Sequence, residues 1–263
     1  MPFDPGFGIH PLLDPMGFAY DADVFGPTPE NRQLDAIRQS LMDPGCIGPE
    51  FVYSIAMDVG RKADREEMLR HNLLYGAVTY AKGTLGREPV RSQGHIHAVS
   101  PSCGFSTCEL YEIWEGEACV YMQERAEDNP GRCFAVWAGP GEIILVPPGW
   151  AHCTIVADVR RPMSFGAWCV RDYGFEYADV RAHKGLAWFP IVEEGGLRFV
   201  PNPLYRTQTC IEKRPRLYTE FGLDPQTPIY RQFVQQPNRF SFVAQPQLAR
   251  YADGKSKWDD FVP

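Results

Sequence analysis

Residues 139–156 read GPGEIILVPPGWAHCTIV, and this stretch decides the fold class. Two short apolar runs, 142–146 and 152–156, follow Gly139-Pro140-Gly141 and flank Pro147-Pro148-Gly149. Runs this short, rich in Ile, Val and Leu and cut by Pro and Gly, suit strands joined by tight turns rather than helices. The same pattern extends in both directions. Upstream, ELYEIW (109–114) leads through Gly116 to EACVYMQ (117–123), a pair that reads as a hairpin, and CFAVWA (133–138) follows. Downstream, SFGAWCV (164–170) is another apolar run. FVYSIAM (51–57) and LLYGAVTYA (73–81) read as strands too, and the charged stretch between them, 60–71, suits a short surface helix. Many short strands at this spacing predict an all-β sandwich or barrel.

The ends read differently. Residues 1–27 are rich in Pro, Gly and aromatics with little periodicity, which predicts an irregular arm. Thr28-Pro29-Glu30 has the chemistry of a helix start, and Leu34, Ile37, Leu41 and Met42 form a helical stripe that Asp43-Pro44-Gly45 stops. Short helices are expected near 216–222 and 228–235. The chain therefore divides into an arm and helix at 1–50, a barrel at 51–205, and a C-terminal extension at 206–263 that packs on the barrel. No internal repeat suggests a second barrel.

Composition narrows the function. The net charge is −7 and no basic run is present, which argues against a nucleic-acid partner. A small anionic substrate would need a local basic patch. No apolar stretch approaches the ~20 residues that span a bilayer. Met1-Pro2-Phe3-Asp4-Pro5 lacks the charged and apolar regions of a secretory signal. The eight cysteines include no CxxC pair and no small-domain disulfide spacing, so a reducing, cytoplasmic setting is expected.

Only six histidines are present, and three cluster with one glutamate in turn-flanked segments. His95 and His97 are two apart on an expected strand, so both imidazoles face the same way. Glu109 opens the next strand, and His152 follows the Pro-Pro-Gly turn. Neutral imidazoles with one carboxylate suit Fe, Mn, Ni or Zn and leave coordination positions open. The plainer alternative is three hydrogen-bonded core histidines in a β-sandwich.

The spacing Glu109-(six residues)-Gly116, then Gly141-(five residues)-Pro147 through His152, resembles the two cupin signatures in their usual order. GHIH (94–97), ELY (109–111), PPGWAHCTI (147–155), GFEYADVRAHKG (174–185), GTLGRE (83–88) and VPNP (200–203) resemble the cupin-type glucose-6-phosphate isomerases, over about residues 73–205. That resemblance implies a single cupin (jelly-roll) barrel, a homodimer, and one divalent metal per subunit on His95, His97, Glu109 and His152. Fe(II) is the first candidate, with Mn, Ni or Zn as alternatives. It places Tyr111 and Tyr177 beside the reacting groups with Glu109. Ser92 and the Gly94 backbone are expected at the substrate phosphate, with Arg87 and Arg91 adding charge. Thr79 stands next to a position where the family has threonine and this chain has Val78. Cys169 takes the place of a family tyrosine, and Val156 that of an asparagine in the second cupin signature. The loop of eleven residues between His97 and Glu109 is longer than the family's.

The expected activity is metal-dependent sugar-phosphate aldose–ketose isomerisation of the glucose 6-phosphate to fructose 6-phosphate type, a step of glycolysis and gluconeogenesis. The hydrogen would move through an enediol with Glu109 as base, or by direct hydride shift. The altered phosphate contacts keep two alternatives in view. One is an iron-dependent cupin oxygenase or other small-molecule cupin that has lost phosphate recognition. The other is a non-catalytic cupin that binds a small ligand.

Overall fold

The Glu109–Glu115 strand organises the architecture of the computed structural model, which describes residues 3–206 and 208–263. It pairs antiparallel with Ile143–Val146 on one side and Met163–Val170 on the other. The sheet continues through Leu73–Tyr80 and Phe51–Met57 to Glu30–Gln33 at its edge. Ala118–Gln123 starts only a few residues later, yet it lies in the second sheet, between Ala151–Val156 and Cys133–Ala138. Cys210–Lys213 adds a parallel edge strand there. The expected hairpin between 109–114 and 117–123 is therefore a corner that carries the chain from one sheet to the other. Gly116, at φ +72°, makes the corner, and a Cβ there would fall 2.4 Å from the Pro162 carbonyl oxygen. Both strands are almost wholly buried, and facing each other across a core covers more apolar surface than lying side by side.

The space between the sheets is filled by Ile113, Val120, Met122, Phe134, Ile144, Trp150 and Phe165, among others. The chain forms an all-β cupin jelly roll with short helical and irregular extensions. Strand alternation sets which side chains face inward. Across the six-stranded sheet, register aligns Tyr53 with Tyr80, Ile55 with Val78 and Phe165, and Met57 with Gly76 and Ala167. Tyr111 continues the last row opposite Ala167. These residues wall the cavity described below.

The outer face of this sheet is covered by the tail. Trp168 packs against Phe233 with ring centroids 4.3 Å apart, and its indole N–H donates to the Ile229 carbonyl at 3.2 Å. Ile229 opens the helix Ile229–Gln235 and donates its own N–H to Glu112 at 2.9 Å. Burial raises the Glu112 carboxyl to about 8, so it is protonated at neutral pH. Near 216–222 only a 3₁₀ turn, Thr219–Phe221, is present. The outer face of the four-stranded sheet is covered by Leu186, Ala187, Phe199 and Tyr205.

The N-terminal expectations need correction. Ile9–Leu13 and Met16–Tyr20 form a hairpin around Asp14-Pro15, and Val24–Phe25 pairs with Gly60–Arg61. Phe7, Ile9, Phe18 and Val24 from this segment are buried in the core. Met1 and Pro2, the start of the expected arm, lie outside the described residues. The expected helix after Thr28 is instead the strand Glu30–Gln33 followed by two 3₁₀ turns, Leu34–Ala36 and Arg38–Ser40. Leu34, Ile37 and Leu41 are buried as a helical stripe would be. Consecutive 3₁₀ turns bury residues at spacings of three and four just as an α-helix does, and pairing with Phe51–Met57 overrides the local helix signal. Between 60 and 71 the helix is Arg65–Arg70. Among the described residues no helix is long and apolar enough to cross a membrane.

Candidate metal centre and substrate cavity

Three segments bring the four expected ligands together. The backbones of His95 and His152 exchange two hydrogen bonds of 3.0 Å, which locks the His95 segment to the Ala151–Val156 strand. His97 lies in the short strand Ile96–His97, paired with Phe175–Glu176. Glu109 begins its strand opposite Val146. One potential ligand atom from each of His95, His97, Glu109 and His152 lies within 4.8 Å of all the others.

Hydrogen bonds on the far side of two rings fix their tautomers. His97 Nδ1 is 3.0 Å from the Thr107 carbonyl, and His152 Nδ1 is 3.1 Å from the Trp150 carbonyl. A carbonyl only accepts, so Nδ1 carries the proton in each neutral ring and Nε2 presents a lone pair. Those Nε2 atoms lie 3.1 and 3.3 Å from Glu109 Oε2. His95 Nε2 is buried with no hydrogen-bond partner among the described residues. Lone pairs from neutral imidazoles converging on a carboxylate repel one another unless a cation lies between them, so the donor set fits a divalent metal. Burial, helped by the neighbouring His152 and His97, holds His95 well below its usual range and keeps it neutral. Burial pushes Glu109 upward, but the adjoining His152 and His97 outweigh that and hold it well below the carboxylate range. Neutral imidazole and ionised carboxylate are the ligating forms.

Two further groups steady Glu109. The Tyr111 hydroxyl donates to Oε2 at 2.7 Å, and the Cys169 thiol donates to Oε1 at 3.3 Å. Burial and the Glu109 charge push both groups well above their usual range, so both keep their protons. We expect Tyr111→Phe to weaken metal affinity and turnover by about 10- to 100-fold, the usual cost of losing a partner of a metal ligand. Metal titration and steady-state kinetics check this; unchanged values would limit the phenol to packing.

One cavity adjoins the cluster. It is lined by His95, Glu109, Tyr111 and Cys169, by Ser92 and Tyr177, and by the inward rows of the six-stranded sheet. Ser92 Oγ accepts the Thr154 N–H at 3.0 Å. Tyr177 immediately precedes the short helix Ala178–Ala182, with its ring centroid 6.1 Å from that of His95.

Four expected substrate contacts lie elsewhere. Thr79 is fully buried in register with Ser54 and Ser164, and its position alternates with the cavity-lining Val78 and Tyr80, so it faces away. Arg87 is exposed and does not line the cavity. Arg91 is buried in an ion pair with Glu88, Nη2 to Oε1 at 2.7 Å. Gly94, at φ +90°, is pressed against the neighbouring segment, where a Cβ would meet Leu186 Cδ1 at 3.1 Å. Conversely, Arg32, Tyr53, Gln93 and Phe175 line the cavity, and none of them is among the site residues singled out above. Alternation along 51–57 would have found Tyr53. Arg32 was hidden because its segment reads as a helix.

Comparison with known proteins agrees with this geometry. The family model described as glucose-6-phosphate isomerase (GPI) matches residues 36–204. The glucose-6-phosphate isomerase of Thermococcus kodakarensis is 27% identical over 144 residues, covering 55% of this chain and 70% of that one. The same-named protein of Pyrococcus furiosus is 29% identical over 147 residues, with coverage of 55% and 70%. Among solved structures, oxalate decarboxylase from Bacillus subtilis aligns over 44% of this chain and 24% of its own, at 16% identity and a TM-score of 0.32, too partial a likeness to carry weight. With the family model spanning the barrel strands and all four converging ligands, the chain belongs to the cupin-type glucose-6-phosphate isomerase family of enzymes.

Proposed function

We propose that this chain is a metal-dependent aldose–ketose isomerase that interconverts glucose 6-phosphate and fructose 6-phosphate. The observation that carries the reading is the convergence of three imidazoles and one carboxylate at the wall of a cavity that is also lined by hydroxyl groups. His95, His97, Glu109 and His152 would hold one divalent ion, Fe(II) first among the candidates. Bound there, the ion supplies Lewis acidity toward the oxygens of the reacting carbons.

The chain's own groups supply the rest. Glu109 Oε2 is crowded by His97, His152 and Tyr111, whereas Oε1 has only the Cys169 thiol beside it. Oε1 is therefore the atom placed to take a proton from C2 of the open-chain aldose and return it to C1, passing through an enediol. Tyr111 holds the carboxylate in one orientation while this happens. The apolar walls, Ile55, Met57, Val78 and Phe165, exclude water from the reacting carbons.

The direct test is conversion of fructose 6-phosphate by protein reconstituted with Fe(II) or Mn(II) and by chelated protein. Turnover with metal and its loss on chelation is the expected result; metal-independent turnover, or none, would remove the reading. Run in deuterated water, the same assay reports the hydrogen route, since proton transfer through Oε1 introduces deuterium at the transferred position and a direct hydride shift does not. The apolar walls favour one second reading, an oxygenase or related activity on a small unphosphorylated molecule, which oxygen uptake with candidate substrates would reveal. The family relationship further leads us to propose a homodimer located in the cytoplasm, the oligomeric state being checked by size exclusion with light scattering.

A further inference from the structure

We propose that Arg32, from the edge strand ahead of the family-matched segment, is the residue that binds the substrate's phosphate; this rests on the isomerase reading above. Four observations lead to it. First, the chain is acidic overall, and Arg32 is the one Lys or Arg among the residues that line the cavity. The other nearby guanidinium groups are engaged elsewhere. Arg91 is tied to Glu88, Ser92 and Ser40. Arg181 lies 4.9 Å over the Tyr177 ring and donates to Gln93 at 3.2 Å. Second, Arg32 Nε is buried without a hydrogen-bond partner among the described residues. Its one ion-pair partner among the described residues, Glu30, is mostly exposed and reaches Nη2 at 3.1 Å. A buried guanidinium N–H with no acceptor from the protein is poised for one from a ligand.

Third, the strand is built to aim the residue. Arg32 pairs with Tyr53, and a β-bulge lies between Arg32 and Gln33. Bulges of this kind redirect side chains beside functional sites. Fourth, the neighbours complete an anion site. Arg32 lies over the Tyr53 ring at 6.0 Å, and Tyr177, 6.1 Å from His95 by ring centroids, lines the same cavity. Burial holds both phenols protonated, so each offers an O–H donor. A sugar phosphate with its carbonyl end at the histidines and its dianion at Arg32 would pass Tyr177. Val78 presents only methyl groups to the cavity, so the planar fork of Arg32 takes over the anion contact that a hydroxyl at that position would make.

The test uses metal-replete full-length protein, with Arg32→Gln and Arg32→Lys alongside wild type. Two quantities are read: kinetics on fructose 6-phosphate, and the affinity for inorganic phosphate by calorimetry. Losing a charge-assisted hydrogen bond to phosphate should raise KM and weaken phosphate binding by about 10- to 100-fold in Arg32→Gln. The change should fall on KM rather than kcat, metal content and melting temperature should hold, and Arg32→Lys should recover part of the loss. KM and phosphate affinity within about twofold of wild type, or wild-type protein that binds no phosphate, would overturn the proposal; the twofold threshold is small against the effect of one charged hydrogen bond. Loss of metal and kcat together with KM would also overturn it, by making Arg32 structural. Phosphate binding that depends on Arg32 in a protein that turns over no sugar phosphate would sustain this site and remove the isomerase reading instead.

Discussion

His152→Ala is expected to strip the protein of its divalent ion and of turnover in one step. The imidazole that it removes is fixed from behind by the Trp150 carbonyl and directs Nε2 at Glu109 Oε2, 3.3 Å away. The remaining three donors cannot enclose an ion from that side, and no other titratable side chain replaces it, because His152 is 1% exposed in a packed strand. A bound ion contributes several kcal/mol of charge stabilisation to a reaction of this kind, so kcat/KM should fall by at least about 10³-fold. Elemental analysis should show metal content dropping from about one per chain to near zero, as loss of a direct ligand implies. The fold should survive in circular dichroism, since the Ala151–Val156 ladder does not depend on this ring. A metal-replete and active His152→Ala protein would contradict the ligand assignment and the enzyme reading built on it.

How much of this was legible in the sequence depends on how local the signal is. The longer strands between Phe51 and Val170 are legible because each is a short apolar run with Gly or Pro nearby, whereas the two-residue strands Gly60–Arg61, Thr84–Leu85 and Glu88–Pro89 carry no such signal; the ligands are legible because two motifs fix their spacing. The step from Glu115 to Ala118 was misread because a hairpin and a corner use the same turn residues. Which one forms depends on the partner strands, Met163–Val170 and Ala151–Val156, which lie far along the chain. The Glu30–Gln33 strand was misread for a related reason: its partner is Phe51–Met57, and nothing local records that pairing. Arg32 was lost with it. Thr79 marks the opposite case. One step of strand alternation already puts it on the wrong face, and register places it beside Ser54 and Ser164 on the face away from the cavity.

The largest stability effect should come from Arg91, a residue whose sequence context suggested phosphate binding. Its side chain is 3% exposed and that of Glu88 is 2% exposed. Arg91 Nε and Nη2 lie 2.8 and 2.7 Å from Glu88 Oε1, while the guanidinium also donates to the carbonyls of Ser92 and Ser40. Glu88 Oε2 in turn accepts the Met42 N–H at 2.7 Å. The pair thus ties the 38–42 turn to the segment that carries Ser92 and runs on to His95. Arg91→Ala leaves a buried carboxylate unpaired and two carbonyls without donors, which should cost about 3–5 kcal/mol in urea unfolding. Replacing Arg91 and Glu88 together with Met and Leu should recover much of that, because a buried ion pair contributes little beyond an apolar pair of similar volume. Below its melting temperature, Arg91→Ala should bind inorganic phosphate as wild type does. If instead its stability is unchanged and its phosphate affinity collapses, Arg91 faces the ligand and the buried pair described here is wrong.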